Sequence, residues 1–240
     1  LDNLSADLPI TAGVVGSHLI AVASQRLGLA AHLHRSEGGE SVFSKKEMTN
    51  LAGRSARDLA NWLMEDEWQR AGLGMASLNS SLEIDYARLH QINAKGIIAD
   101  RAADKNLMVV GHFPFVETMR PNVRNLWVME KQPRAGDISE DEGYQLLSEA
   151  DVVAITGSSL INHTFEQIMF SCRKGSFKIM LGPSTPLSPI LFDYGLDVIG
   201  GALVDDAKTT LVMVEKGAAF RQLKQVRTVV MAKDPLREFR

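Results

Sequence analysis

Two short apolar runs in the middle of the chain lead into residues able to move a proton. One run ends at Gly111 and is followed by His112, and a later run ends at Glu130. An imidazole titrates near neutral pH and also ligates transition metals, whereas a carboxylate accepts protons and orients substrates by hydrogen bonds. We therefore take His112 and Glu130 as candidate catalytic residues, and His112 also as the candidate metal ligand.

The loops that follow four such runs are rich in glycine, hydroxyl, amide and aromatic groups. The candidate ligand-binding residues in these loops are Gly111, Phe113, Phe115, Thr156, Gly157, Asn162, Thr164, Gly182, Ser184 and Thr185. Glycine lets a ligand approach the backbone, hydroxyl groups at a helix start join its free amides around an anion, and phenyl rings stack on planar molecules. Any one of these loops is also typical of helix caps and turns, but four at one edge of one sheet favour a binding site.

Two further groups of residues are candidates for metal binding. His32 and His34 are two residues apart, which places both rings on one face of a strand, although two half-exposed histidines at a strand end are the more ordinary interpretation. Cys172 falls within a helical apolar pattern and is expected in the core. A single cysteine also excludes an intramolecular disulfide framework and any multi-cysteine zinc or iron–sulfur site.

Composition and missing motifs exclude several classes of protein. The 240 residues include 26 basic and 29 acidic side chains, and the net charge of −3 argues against a general nucleic-acid binder. No apolar run approaches the roughly 18–20 residues of a membrane span, and the first residues lack a signal-peptide pattern. We therefore expect a cytoplasmic protein whose partners are small molecules or metal ions. The sequence has no phosphate-binding P-loop motif and no G-x-S-x-G nucleophile elbow.

The candidate loops can share a site only if a sheet brings them together. From residue 106 onward, short apolar runs alternate with helical patterns, which is typical of a parallel sheet covered by helices on both faces. The predicted strands are 107–110, 126–129, 151–156, 177–181 and 197–199, and the predicted helices are 139–150, 162–174, 186–194 and 207–216. The segment 226–231 is expected to add an edge strand.

The first ninety residues have a different pattern of apolar and small residues from the rest of the chain. Apolar residues at 13–23 and 27–33 predict two strands joined by a tight turn, and a capping box at 55–58 predicts the start of a helix. A second helix is predicted over 68–82, where small residues indicate close packing against another backbone. We predict a smaller α+β domain at residues 1–90 and an α/β, Rossmann-like domain with a mainly parallel sheet at residues 91–240.

The loop that follows the predicted strand 177–181 resembles the signature of a known family. The run G-P-S-T-P-L-S-P at 182–189, followed by L-F-D-Y-G at 191–195, is similar to the signature of the putative heavy-metal chelation domain family. Thr156-Gly157 with Asn162 and Thr164 matches the T-G…N-x-T element of that family, and V-G-x-F-P at 110–114 matches its first Rossmann-like strand end. Residues 22–30 and 74–79 resemble the companion domain that usually precedes it, so the resemblance covers nearly the whole chain.

The resemblance implies an enolase N-terminal-like α+β domain followed by a Rossmann-like domain, with a ligand cleft between them. The family name implies a divalent or heavy-metal ion, yet the six histidines and one cysteine form no dense cluster in the sequence. Two function classes stay open. One is a protein that binds a metal ion, a metal chelate or a small anionic or planar ligand. The other is an enzyme acting on a pterin-, flavin- or tetrapyrrole-like metabolite.

Overall fold

A computed structural model describes residues 8–34, 43, 48 and 50–234, and within these residues the chain forms two sheets. The first is antiparallel, with strands in the order β1 (Ala12–Val15), β2 (Leu19–Ala23), β3 (Leu27–Ala31). The second has six strands in the order β5-β4-β6-β7-β8-β9, and β9 alone is antiparallel to its neighbour. Its strands are β4 (Asn106–Val110), β5 (Asn125–Met129), β6 (Val152–Thr156), β7 (Phe177–Leu181), β8 (Val198–Val204) and β9 (Val226–Ala232).

Short helices connect and cover these strands. They are α1 (Ala56–Ala60), α2 (Trp68–Ser81), α3 (Ala94–Ala102), α4 (Val116–Met119), α5 (Glu140–Leu146), α6 (Ser158–Ile161), α7 (Phe165–Ser171) and α8 (Ala207–Glu215). Turns of 3-10 helix lie at Asn61–Met64, Tyr86–Arg88, Arg120–Asn122, Pro189–Phe192 and Phe220–Gln222. In the described part of the chain, no helix has the length and apolarity needed to cross a membrane.

The six-stranded sheet is buried on both faces, as its continuous apolar strands predict. Alternate residues of each strand belong to two different clusters. Met108 and Val153 pack under α7 and the Pro189–Phe192 turn, whereas Leu107 and Ala154 pack under α3 and α4. The expected α/β fold, with a mainly parallel sheet and a smaller α+β part, is therefore confirmed. The division into domains at residues 1–90 and 91–240 stays a prediction.

The N-terminal sheet packs against α2 through small residues. Ser55 caps α1, since its hydroxyl accepts a hydrogen bond from the Asp58 amide at 3.0 Å, as predicted. Gly28 lies so close to α2 that a Cβ there would overlap the carbonyl oxygen of Ala76. Gly74 of α2 approaches the backbone at Leu63 in the same way, which confirms the close packing predicted for the small residues of this helix.

Several predicted element boundaries were wrong. The run 13–23 is two strands rather than one, because the chain turns at residues 16–18 and makes a three-stranded sheet. Strand β8 continues through Gly200 and Gly201 instead of ending there. A Cβ on Gly200 would lie 2.8 Å from Leu181 Cδ2, so these glycines make room for neighbouring side chains and do not form a turn.

The helix predictions erred in length and in number. Helix α3 was not predicted, because its buried residues are few and lie in a polar stretch. Segment 162–174 is helical only from Phe165 to Ser171, since His163 adopts a φ of 59° that a helix cannot contain. The segment 139–150 is helical only over Glu140–Leu146, and 186–194 makes only a 3-10 turn.

The order of the strands creates a crevice. The chain moves from β4 outward to β5 and then crosses to β6 on the other side of β4. Loops leaving β4 and β6 therefore diverge to opposite faces of the sheet. Such a switch point in an open parallel sheet leaves a space beyond the carboxyl ends of the two strands, where ligands bind in this class of fold.

Candidate functional site

A cavity of about 400 Å³ lies at this switch point, between the carboxyl ends of β4, β5 and β6 and the N-terminal part of the chain. We call it the switch-point cleft. Six predicted residues line it: Gly111, His112, Glu130, Thr156, Asn162 and Thr164. His34 and Trp68 close it from the N-terminal side. The structure thus brings together loops that are up to about fifty residues apart, as expected for strand ends that meet at one edge of a sheet.

The two candidate catalytic residues have different surroundings. His112 is about one third exposed, and its Nδ1 lies 3.5 Å from Oδ2 of Asp137, whose side chain is only 7% exposed. Glu130 bonds locally, because its Oε2 accepts a hydrogen bond from the amide of Lys131 at 3.1 Å. An imidazole with a buried carboxylate beside one nitrogen has a preferred orientation, which suits either proton transfer or ligation through the other nitrogen.

A second pair of charges lies at the mouth of the cleft. Lys131 Nζ is 2.9 Å from both carboxylate oxygens of Glu140 and 5.7 Å from the centre of the Trp68 ring. The ammonium group therefore holds Glu140 and faces an aromatic surface at the same time. Lys131, Glu140 and Trp68 were missed by the sequence analysis. Lys131 directly follows Glu130, but nothing in the sequence indicated that α2 would bring Trp68 to the same place.

Hydroxyl and amide groups on the β6 side are partly committed to shaping the loop. Thr156 Oγ1 accepts a hydrogen bond from the amide of Ser158 at 3.3 Å. Asn162 Oδ1 accepts one from Thr164 Oγ1 at 2.7 Å. Because the side-chain oxygen of Asn162 is already used, its NH₂ group is the part that a ligand in the cleft would meet as a donor.

His32 and His34 lie together, with ring centres 4.1 Å apart. His32 is buried, and its Nδ1 is 2.6 Å from the carbonyl oxygen of Gly16. Burial and the neighbouring His32 lower the pKa of His34, while Glu67 opposes the shift. The lowered pKa favours the neutral form of the His34 ring. As metal ligands, the two rings would supply at most one nitrogen each.

The described residues do not fit a metal centre built from protein side chains alone. Nowhere among them do three His, Cys, Asp or Glu side chains come close enough together to hold a metal ion. Cys172 packs against the core as predicted, and burial raises the pKa of its thiol to about 11. The thiol is therefore protonated at neutral pH, and Cys172 does not line the switch-point cleft.

Three predicted ligand-binding residues line neither this cleft nor the second cavity described below. Ser184 is 1% exposed, and its Oγ accepts a hydrogen bond from the backbone amide of Ala31 at 2.8 Å. Thr185 is buried against Gly157, where a Cβ would lie 2.7 Å from the Thr185 amide. Ser184 and Thr185 thus join the loop after β7 to β3 and to the loop after β6. The remaining predicted residues, Phe113, Phe115 and Gly182, line a separate cavity described below.

Comparison with known proteins agrees with the resemblance found in the sequence. A family model described as putative heavy-metal chelation, DUF364, matches residues 94–233, and a second with the same description, DUF4213, matches residues 1–82. An uncharacterized protein of Methanocaldococcus jannaschii is 26% identical over 171 residues, which span 64% of this chain and 65% of that relative.

The fold is also similar to that of two crystal structures of proteins of unknown function from the DUF364 family. The protein from Desulfitobacterium hafniense superimposes with a TM-score of 0.84 at 24% identity, over 97% of this chain and 94% of the other. The protein from Pyrococcus horikoshii gives 0.80 at 19% identity, over 95% of each chain. These likenesses concern the fold. Because the DUF364 model matches more than half of the sequence, this chain belongs to the DUF364 family, described as putative heavy-metal chelation.

Proposed function

We propose that the protein binds a metal ion already held by a small organic chelator, in the switch-point cleft. One observation carries the proposal: the cleft presents His112 and Glu130, yet no described group of three protein donors could hold a bare ion. A cavity of about 400 Å³ is also far larger than a single ion needs and falls in the range of small-molecule sites.

The missing donor atoms would come from the ligand itself. A transition-metal ion takes about four to six donor atoms, so a protein that supplies one or two depends on a chelator for the others. His112 is the side chain best suited to an open coordination position. Its neighbour Asp137, 3.5 Å away, would orient the ring in the manner of a carboxylate behind a metal-ligating histidine.

Other residues of the cleft suit the organic part of such a ligand. Asn162 offers an amide NH₂ and Lys131 an ammonium group, and both are donors for carboxylate or carbonyl oxygens. Trp68 offers a ring face for an apolar or planar portion. Metal here is cargo and not a resident cofactor. The family description supports this proposal at a coarse level.

Native mass spectrometry with elemental analysis tests the proposal. The protein is measured as purified and after dialysis against Ni²⁺ or Zn²⁺, each alone and with equimolar citrate. We expect a mass excess that contains both metal and an organic molecule and is lost on denaturation. Stoichiometric binding of the bare ion, equally tight with and without chelator, would contradict the proposal, and so would no binding under any condition.

Matched variants locate the binding. We expect His112→Ala to weaken retention of the metal–citrate complex about tenfold or more, as for loss of one metal ligand. His90→Ala removes a histidine outside both large cavities of the described chain and should leave retention unchanged. Equal effects of the two variants would place the metal elsewhere.

An enzyme acting on a pterin-, flavin- or tetrapyrrole-like metabolite is a second candidate function. The contact of His112 with the buried Asp137 favours it, because that arrangement can hold an imidazole in place for proton transfer. Turnover of such a metabolite, lost in His112→Ala while the ligand is still bound, would support this alternative over simple binding.

A further inference from the structure

A second and larger cavity, about 810 Å³, lies on the other side of the switch point. Its walls are the start of α3, the loop after β4, the turn after β7 and the 3-10 turn at Phe220–Gln222. We call it the aromatic–cationic cavity, after Phe113, Phe115, Phe220, Lys95, Arg134 and Arg221, which line it. His112 and Thr156 line both this cavity and the switch-point cleft, so the two spaces are adjacent.

The aromatic residues form a surface suited to a planar ring. Phe113 and Phe115 are stacked, with ring centres 5.3 Å apart and an angle of 18° between the planes. Both are half-buried and pack against the core under α3 and α4, which holds the pair in place. Phe220 lines the same cavity from another element. Stacked rings of this kind add to the burial of an aromatic ligand by contacts between π faces.

The cations of this cavity have no acidic side chain beside them among the described residues. Within the described chain, the side chains of Lys95, Arg134 and Arg221 have no carboxylate within 4.0 Å. No Asp or Glu of the described residues lines the cavity. Three unneutralised positive charges around one space, in a chain whose net charge is −3, favour a negatively charged ligand.

The backbone leaves room beside these charges. Gly182 has a φ of +114°, and a Cβ built on it would meet no atom within 4 Å, so the turn after β7 borders open space. The nine-residue helix α3 begins at the same cavity, with Asn93 as its N-cap. The positive end of the helix dipole therefore adds to the field of the three side chains.

We propose that the aromatic–cationic cavity binds a second ligand, a planar heteroaromatic molecule that carries a phosphate or carboxylate group. The ring lies against Phe113, Phe115 or Phe220, and the anionic group lies among Lys95, Arg134 and Arg221. Because His112 and Thr156 line both cavities, this ligand meets the occupant of the switch-point cleft at those two residues. The protein is thus a two-ligand protein, which goes beyond binding of a chelated metal.

Equilibrium dialysis tests this with three anionic probes and their neutral counterparts. The pairs are riboflavin 5′-phosphate with riboflavin, adenosine monophosphate with adenosine, and pterin-6-carboxylate with pterin. We expect at least one anionic probe to bind about tenfold or more tightly than its counterpart, as for loss of a charge-assisted contact. Dissociation constants above about 1 mM for all three anionic probes would overturn the proposal, and so would equal affinity within every pair.

Variants show whether a bound probe occupies this cavity. We expect Arg221→Gln to weaken the anionic probe about fivefold to tenfold without changing the neutral one, and Phe113→Leu to weaken both. Lys174→Gln and Phe170→Leu are matched controls on exposed residues that line neither large cavity. Binding unaffected by Arg221→Gln and Phe113→Leu would overturn the proposal.

A further variant separates the two sites. Asn162 lines the switch-point cleft and not the aromatic–cationic cavity. Asn162→Ala should therefore weaken retention of the metal–citrate complex and leave probe binding unchanged. Loss of probe binding in Asn162→Ala, with thermal stability retained, would place the probe in the switch-point cleft and refute the second site without affecting the first.

Discussion

Ser184 should act on stability and not on ligand binding, although the sequence made it a ligand-binding candidate. Its Oγ accepts the hydrogen bond of the Ala31 amide, at 2.8 Å and with 1% of the serine exposed. Because β3 is the edge strand of its sheet, this amide has no partner strand on its outer side. In Ser184→Ala the partly buried amide loses its acceptor. An unsatisfied donor of this kind costs about 1–3 kcal/mol.

The expected result is a lower melting temperature with unchanged binding. For a chain of this size, each kcal/mol lowers the melting temperature by about 2–4 °C, so the loss should be about 2–12 °C by differential scanning calorimetry. Ser148→Ala is the matched control, because that exposed hydroxyl bonds only to the Gln145 carbonyl of its own helix end. A melting temperature equal to that of Ser148→Ala, together with lost retention of the metal–citrate complex, would refute this reasoning.

Two substitutions and one titration test packing and electrostatics. Gly157→Ala should lower the free energy of unfolding by about 1–3 kcal/mol in urea titration, because its Cβ would lie 2.7 Å from the Thr185 amide. Gly96→Ala, inside α3 with nothing within 4 Å of the new Cβ, should raise it by about 0.5–1 kcal/mol. In an NMR titration His34 should protonate below the usual histidine range, since burial and His32 lower its pKa. The unfolded chain then binds more protons, so this group makes stability rise with pH from its folded pKa up to the ordinary value.

Much of the architecture was accessible from local patterns. Apolar runs of four or five residues between helical segments indicate a covered parallel sheet, because only a strand buried on both faces is apolar at every position. The edge strand at 226–231 was predicted from its partial alternation and is antiparallel β9. The Ser55 cap and the tightly packed glycines of α2 were predicted too, since capping and close approach depend on residue type within a few positions.

The candidate site was predicted in part. Loops at the carboxyl ends of parallel strands must share one edge, so His112, Glu130 and Asn162 could be expected near each other, and all three line the switch-point cleft. Trp68 could not be found in this way. It belongs to a helix from another part of the chain, and packing between the two sheets brings that helix to the cleft.

Residue types and their order along the chain thus establish the strands, the family and the edge of the sheet that carries the chemistry. The strand order establishes the rest: it puts the crossover between β4 and β6, and so divides one set of loop residues between two cavities. It also places the Ser184 hydroxyl against the edge of β3, where it accepts the hydrogen bond of the Ala31 amide. Strand order and helix docking depend on contacts between residues far apart in sequence. Such contacts stabilise the chain only once it is packed, so they leave no local pattern in the sequence.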